Sequence, residues 1–430
     1  MYLLTCINNY FLRGGHPLKE MQGVKKQRNR WLVLLTGCIV NFSISAPSTF
    51  SLFVKPIMEL TDWPMGSIAL SFTIFSVLLS VSGIAVGTFS HRVKPWAIIY
   101  FGSVLFSLGW ILTGFSTSVT MMQLCFGLIS GLGSGAMYNF TVTNALKWFP
   151  DRKGFVAGLL LGCSAVGPVF FAPIASTIIR TLGVMSTFTI LGSFFAVLLL
   201  STSWLIQVPP PDYRPPNWTP SPIAAAALNA RDYTWKEMLR TSTFYLLFLI
   251  FVLACTSSMI MLNLGAVIGQ ERAGMSMGMA TLSVTLLALF NFTGRFLFGA
   301  LSDRIGRYLT LLIALCFNFV AMMFLSTITT AVPFLAMMCT VGACGGALLV
   351  MFPPIVSERF GVKNSALNYS IMFTAYSTAA LVAPLLASYY RNQGNYGPVF
   401  IWAAGLTVVA GVLLFIIMLQ NKKLEREKQT

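Results

Sequence analysis

The sequence predicts an all-α membrane protein with twelve transmembrane helices arranged as two six-helix pseudo-repeats. Three observations carry that prediction. The first is composition: of 430 residues, 56% are hydrophobic and only 9% charged, against about 25% charged in ordinary soluble chains. The second is the recurrence of uncharged runs of roughly 20 residues, the length a helix needs to cross a bilayer. The third is a polar, proline-rich break in mid-chain, VPPPDYRPPNWTPSPIAAAALNARDYTWKEMLR (208–240), with six runs on either side. Its proline cluster removes several backbone donors at once and cannot be helical, and its charges and polar residues suit water, so it reads as a hydrated linker.

The chain divides accordingly. Residues 1–30 read as a cytoplasmic N-terminal tail. The apolar MYLLTC at its start is too short for a signal-peptide core and precedes the cations Arg13, Lys19, Lys25, Lys26, Arg28 and Arg30, the reverse of the signal-peptide order. A first six-helix bundle is expected over 31–207, with helices starting near Trp31, Gly66, Pro95, Val119, Gly154 and Val184. The linker covers 208–242 and carries a short surface helix over Trp235–Arg240. A second bundle is expected over 243–420, starting near Thr243, Gly278, Arg307, Ala331, Ser365 and Gly397, before a cytoplasmic tail at 421–430.

Charge placement orients these helices. Of the 28 Lys and Arg residues, only Lys55, Arg180, Arg272 and Arg391 fall in loops opposite the termini, and Arg295 lies within a span. Cations gather on the cytoplasmic side of membrane proteins, so both termini are expected there, in the plasma membrane. The same dispersal argues against nucleic acid as the partner of the net +16 charge, because no single basic patch forms. The lipid bilayer is the expected partner of the apolar surface. Eight scattered cysteines show no CxxC spacing, and His16 and His91 fall in loops, so no metal, cofactor or catalytic centre is expected.

The halves repeat. GTFSHRVKPW (87–96), after the second helix, and GALSDRIGRY (299–308), after the eighth, share GxxSxR. At the same offset Lys147-Trp148 meets Arg359-Phe360. Related six-helix halves enclosing a site between them are a transporter architecture. Gly299–Arg307 reads as a charged turn in which Asp303, Arg304 and Arg307 are gate candidates, with Arg92 in the corresponding first-half loop. Asp303 is expected to cap or pair with inward-facing cations of the neighbouring half, holding the cytoplasmic side closed; a purely structural turn is the competing reading.

Inside the spans, charge is rare. Arg295, within LSVTLLALFNFTGRFLFGALSDRIGRYLT (282–310), is a cation at membrane depth and so a functional candidate. A guanidinium matches a planar carboxylate with two parallel N–H···O bonds. The competing reading has it snorkel to the nearby surface or pin the following turn. Asn291 lies one turn before it on the same face. In the fourth helix Tyr138 and Thr141 share one face, Asn139 and Thr143 another; pocket lining and interhelical hydrogen bonding are both open to them. GLISGLGSGAM (127–137) lacks the preceding strand and terminal lysine of a phosphate loop, so its small residues read as close helix packing.

GALSDRIGR resembles the signature loop of the major facilitator superfamily. NALKWFPDRKG (144–154), ALFNFTGRFLFGALSDRIGRYLT (288–310), FPPIVSERFG (352–361) and NYSIMFTAYSTAA (368–380) resemble its oxalate/formate antiporter branch and the related monocarboxylate transporters. That resemblance implies a facilitator, not an enzyme, with Arg295 as the substrate-binding arginine and Tyr138 as a pocket tyrosine. The branch has a lysine in the eleventh helix where this chain has Tyr376. One arginine and a phenol suit a monoanion better than a dicarboxylate, so a monocarboxylate of lactate, pyruvate or formate type is the expected substrate. The aspartate that exchanges protons in animal relatives is here Asn291, which cannot titrate, so anion exchange or uniport is expected over proton symport. A functional monomer is expected. The alternatives are an oxalate/formate-type dicarboxylate antiporter, a drug exporter, or a non-transporting sensor or receptor on the same fold.

Overall fold

The computed structural model describes residues 29–89, 93–210, 213–215, 231–392 and 397–427. The tail cations Arg13 to Arg28, the loop pair His91 and Arg92, and most of the linker lie outside the described residues. The described chain is a sequence of long helices. The first span is broken: α1 (Arg30–Ser43) passes through a single tight turn at Ala46–Thr49 into α2 (Ser51–Thr61). Pro47 at the start of that turn supplies no N–H to continue the helix.

Five spans complete the first half: α3 (Met65–Phe89), α4 (Pro95–Thr113), α5 (Val119–Trp148), α6 (Lys153–Leu182) and α7 (Val184–Ser203). After the linker, α8 (Trp235–Leu239) is the expected short helix, fixed by a reciprocal cap between Thr234 and Glu237. The second half holds α9 (Ser242–Ala273), α10 (Met277–Ile305), α11 (Arg307–Thr327), α12 (Ala331–Phe360), α13 (Ser365–Asn392) and α14 (Gly397–Glu427). Among the described residues 11 helices are long and apolar enough to cross a membrane, and α13, 28 residues long, occupies the remaining expected place. Each span begins within a residue or so of its expected start.

One boundary differs in a way that matters. Gly299–Arg307 is not a turn: α10 runs unbroken through Gly299 and ends at Ile305. The reversal is made by Gly306 alone, at φ 91°, a backbone angle that costs glycine little. A glycine tolerated inside a helix and a charge-rich last turn together resemble a loop in sequence. Ser302 and Arg307 settle the matter by giving those charges partners along the helix end (below).

Packing follows the repeat. Within the first half α3 lies on α5, and α4 on α7; within the second, α10 lies on α12, and α11 on α14. Between halves, α6 packs along α10 and α3 along α13. In each case the fifth span of one half meets the second span of the other, as a two-fold relation between duplicated halves requires. The α6–α10 contact is close because glycines line it: a Cβ on Gly158 would meet the Arg295 carbonyl oxygen at 2.5 Å. The first half is filled by aromatic rings from four spans, among them Phe53, Trp110, Phe126 and Phe188. In the second, Phe251 and Phe352 stack at 3.8 Å between α9 and α12.

Candidate functional site

Two clusters at different depths lie on the seam between the halves. The shallower is at the face that carries the linker. The first turn of α6 has no side-chain cap of its own, since Arg152 occupies the cap position. Asp303, in the last turn of α10, fills that role from the other half. Its two carboxylate oxygens accept the backbone N–H groups of Gly154 and Phe155, each at 2.9 Å. A carboxylate at a helix N-terminus satisfies orphan donors and faces the positive end of the helix dipole.

Arg307 then ties the second half together. It donates to Asp303 at 2.6 Å, to Ser302 at 2.5 Å and to Glu358 of α12 at 3.1 Å. Lys153, from the first half, donates to Ser357 at 3.3 Å and lies 4.0 Å from Glu358. The ion pairs are largely sheltered: the Arg307 side chain is 11% exposed and that of Asp303 17%. Sheltering matters, because fully solvated pairs contribute little. Of the expected gate residues, Asp303 and Arg307 belong to this lock. Arg304 is exposed, and Arg92 lies outside the described residues. Lys153, Ser357 and Glu358 were not singled out by sequence; their signal lay in the motifs NALKWFPDRKG and FPPIVSERFG that contain them.

The deeper cluster surrounds Arg295. Because α10 continues to Ile305, Arg295 sits ten residues, or about 15 Å, inside that end of the helix. That depth is beyond what an arginine side chain reaches by snorkelling, and the side chain instead crosses the seam. Its terminal Nη1 donates to the Leu161 carbonyl and, at 3.1 Å, to the Ser164 hydroxyl, both on α6. Its Nε is buried without a partner. Tyr138 of α5 and Tyr369 and Tyr376 of α13 lie within electrostatic reach. Phe373 joins them into one aromatic wall, with ring centroids 5.1 Å from Tyr138, 5.2 Å from Tyr376 and 5.8 Å from Tyr369. Tyr369, Phe373 and Tyr376 fall at helical spacing on one face of α13, a pattern visible in NYSIMFTAY although only Tyr376 was singled out. Ser164 and Leu161 had no sequence signal.

The other expected site residues are engaged in packing. Asn291 donates its amide to the Gly342 carbonyl of α12 at 3.0 Å. Thr141 accepts from Asn41 of α1 at 3.1 Å and returns its own hydroxyl to the Met137 carbonyl. Asn139 donates to the Gly135 carbonyl at 3.4 Å and abuts Gly83 of α3. Thus Arg295, Tyr138 and Tyr376 are brought together, while Asn291, Asn139 and Thr141 hold neighbouring helices. Gly346 of α12 lets that helix lie against α10 beside this site: a Cβ there would collide with the Asn291 carbonyl oxygen and meet the Arg295 backbone nitrogen at 3.0 Å.

Two related groups of spans, closed by a charged lock at one face and meeting around one deep guanidinium, are the structure of a multi-pass membrane transporter of small molecules. The family model for the Major Facilitator Superfamily matches residues 33–340 and 246–430, and the chain belongs to that superfamily. It is 29% identical over 357 residues to an uncharacterised MFS-type transporter, YhjX, of Escherichia coli, covering 83% of this chain and 87% of that one. It is 25% identical to the oxalate:formate antiporter of Oxalobacter formigenes, covering 91% and 92%. Monocarboxylate transporter 12 of Xenopus laevis is 23% identical, covering 75% and 74%. Among solved structures, the transporter FucP in its outward conformation superposes with a TM-score of 0.71 at 13% identity, over 90% of this chain and 99% of that one.

Proposed function

We propose that the protein is a secondary transporter of a small organic anion, most favourably a monocarboxylate of the lactate, pyruvate or formate type, working by alternating access. The observation that carries this reading is Arg295: a guanidinium at mid-depth on the seam, with one buried donor free and phenols, not cations, around it. A carboxylate offers the paired acceptors that a guanidinium fork matches. With Tyr376 where a second cation would stand, one negative charge is offset and a second is not. The aromatic wall of Tyr138, Phe373 and Tyr376 suits the small apolar remainder of a monocarboxylate. Relatives named for oxalate:formate and monocarboxylate transport favour the same substrate class.

In the cycle, the Asp303–α6 lock closes the linker face, and the cation bias makes that face cytoplasmic. Substrate enters from the opposite face and meets Arg295. The halves then rock about the α6–α10 and α3–α13 seams, the lock opens, and substrate leaves on the other side. The chain works as a monomer in the plasma membrane. Asn291 offers no titratable group beside Arg295, so exchange or uniport is favoured over proton symport.

The test is flux. Purified protein in liposomes is given labelled lactate, pyruvate, formate or oxalate, with and without a pH gradient. Monocarboxylate uptake exceeding oxalate uptake is expected. No flux of any of the four sinks the carboxylate assignment; faster oxalate flux favours the dicarboxylate antiporter.

A further inference from the structure

The partners of Arg295 carry an inference about coupling, which rests on the carboxylate reading above. The guanidinium belongs to α10, in the second half, yet both oxygens it is bonded to belong to α6, in the first. They are a backbone carbonyl and a hydroxyl, neutral acceptors at a place where an ionised acceptor would bind about twice as strongly. Ser164 also donates its own hydroxyl to the Leu161 carbonyl at 2.7 Å. The two acceptors therefore satisfy one another, and neither is stranded if the guanidinium leaves. Arginine gains from leaving only when a better acceptor arrives, because otherwise a buried charge loses its bonds.

We infer that Ser164, with the Leu161 carbonyl, is a positioning residue that parks Arg295 across the two halves in the empty carrier and yields it to a substrate carboxylate. In the parked state any rocking of the halves must break the bonds from Nη1 with nothing to replace them. In the loaded state the carboxylate holds the guanidinium within the second half, the Ser164–Leu161 bond already present keeps the vacated acceptors satisfied, and the halves separate at lower cost. The partnerless Nε gives the carboxylate its first foothold before Nη1 is released. The consequence is kinetic: the loaded carrier reorients faster than the empty one, so exchange outruns net flux. This role differs from the Asp303 lock, which closes one face whether or not substrate is present.

The experiment compares, in one preparation of proteoliposomes, exchange of labelled lactate against internal lactate with net lactate efflux into lactate-free buffer. Wild type is expected to exchange at least about tenfold faster than it effluxes, a barrier difference of about 1.4 kcal/mol. Ser164→Ala removes one of the two parked bonds and should raise net efflux severalfold while exchange changes less than about twofold, collapsing the ratio. Ser164→Thr, which keeps the hydroxyl, should restore it. A merely structural serine would move both rates together, and that result overturns the inference, as does a wild-type ratio near one. If Ser164→Ala fails to insert, the wild-type ratio and Ser164→Thr decide. No lactate, pyruvate, formate or oxalate flux in wild type refutes the carboxylate reading instead, and is recognised before any variant is made.

Discussion

Removing the Asp303 carboxylate tests the lock at the joint that bridges the two halves. In wild type that carboxylate accepts two backbone N–H groups from α6 at 2.9 Å each and pairs with Arg307 at 2.6 Å. A hydrogen bond to a charged group contributes about 1.5–3 kcal/mol. Because the side chain is partly solvated, the lower figure applies to each N–H bond, and the pair stabilises the closed face by about 3 kcal/mol. At 1.4 kcal/mol per factor of ten, Asp303→Ala should shift the balance away from the closed face by about 100-fold. Asp303→Asn, which keeps one acceptor oxygen without its charge, should fall between. The assay is hydrogen exchange in detergent or nanodiscs, read on a peptide covering Phe149 to Phe155. The amides of Gly154 and Phe155 should exchange about 100-fold faster in Asp303→Ala, while peptides from the core of α5 stay protected. Unchanged exchange at those two amides would mean that α6 is held by something else, and the lock as described would be wrong.

Four further outcomes follow from the same geometry. Arg295→Gln replaces a charged fork by a neutral amide and should weaken carboxylate binding by about 100-fold or more, the loss of two charge-assisted bonds; undiminished uptake would return Arg295 to a packing role. Tyr376→Lys places a second cation beside Arg295 and should shift preference toward oxalate by about tenfold or more, net of desolvation, in a competition assay. Gly158→Val drives a side chain into the Arg295 carbonyl across the seam and should slow transport by holding α6 off α10, with crosslinking between those helices at the linker face reporting the wider gap. At α8, the N–H and hydroxyl of Thr234, aided by Arg231, hold the Glu237 carboxyl below the usual carboxylate range. Its cap is therefore fully present above the ordinary glutamate pKa and lost as pH falls through the depressed value; the protection factors of the amides in the 231–240 peptide, exchange rates divided by the intrinsic rate at each pH, should stay constant from pH 8 to pH 6, and Glu237→Gln should lower them throughout.

The sequence by itself determined the class, the helices and the pairing of the halves. Hydrocarbon spanning demands long uncharged runs, so their starts were legible to within a residue or so, from Pro95 to Gly397. Duplicated loop motifs made the two-fold relation visible. Arg295 stood out because a cation in such a run is rare, and the family resemblance then drew Tyr138 and Tyr376 to it. Where the chain was misread, the cause was local: Gly299 and the charges after it look like a turn, yet α10 runs on to Ile305 because Asp303 and Arg307 find partners on α6 and α12. That shift of one helix end moved Arg295 from near the surface to about 15 Å inside it.

Only the tertiary structure decided what each polar side chain faces. Asn291, Asn139 and Thr141 have the residue types of a binding site, but their hydrogen bonds go to Gly342, Gly135 and Met137. Ser164 and the Leu161 carbonyl, ordinary in sequence, become the partners of the central arginine because α6 and α10 cross at glycines. The physical reason is that an isolated helix specifies which residues share a face, whereas what packs on that face belongs to another helix, 51 residues away for Asn291 and 131 for Arg295 and Ser164.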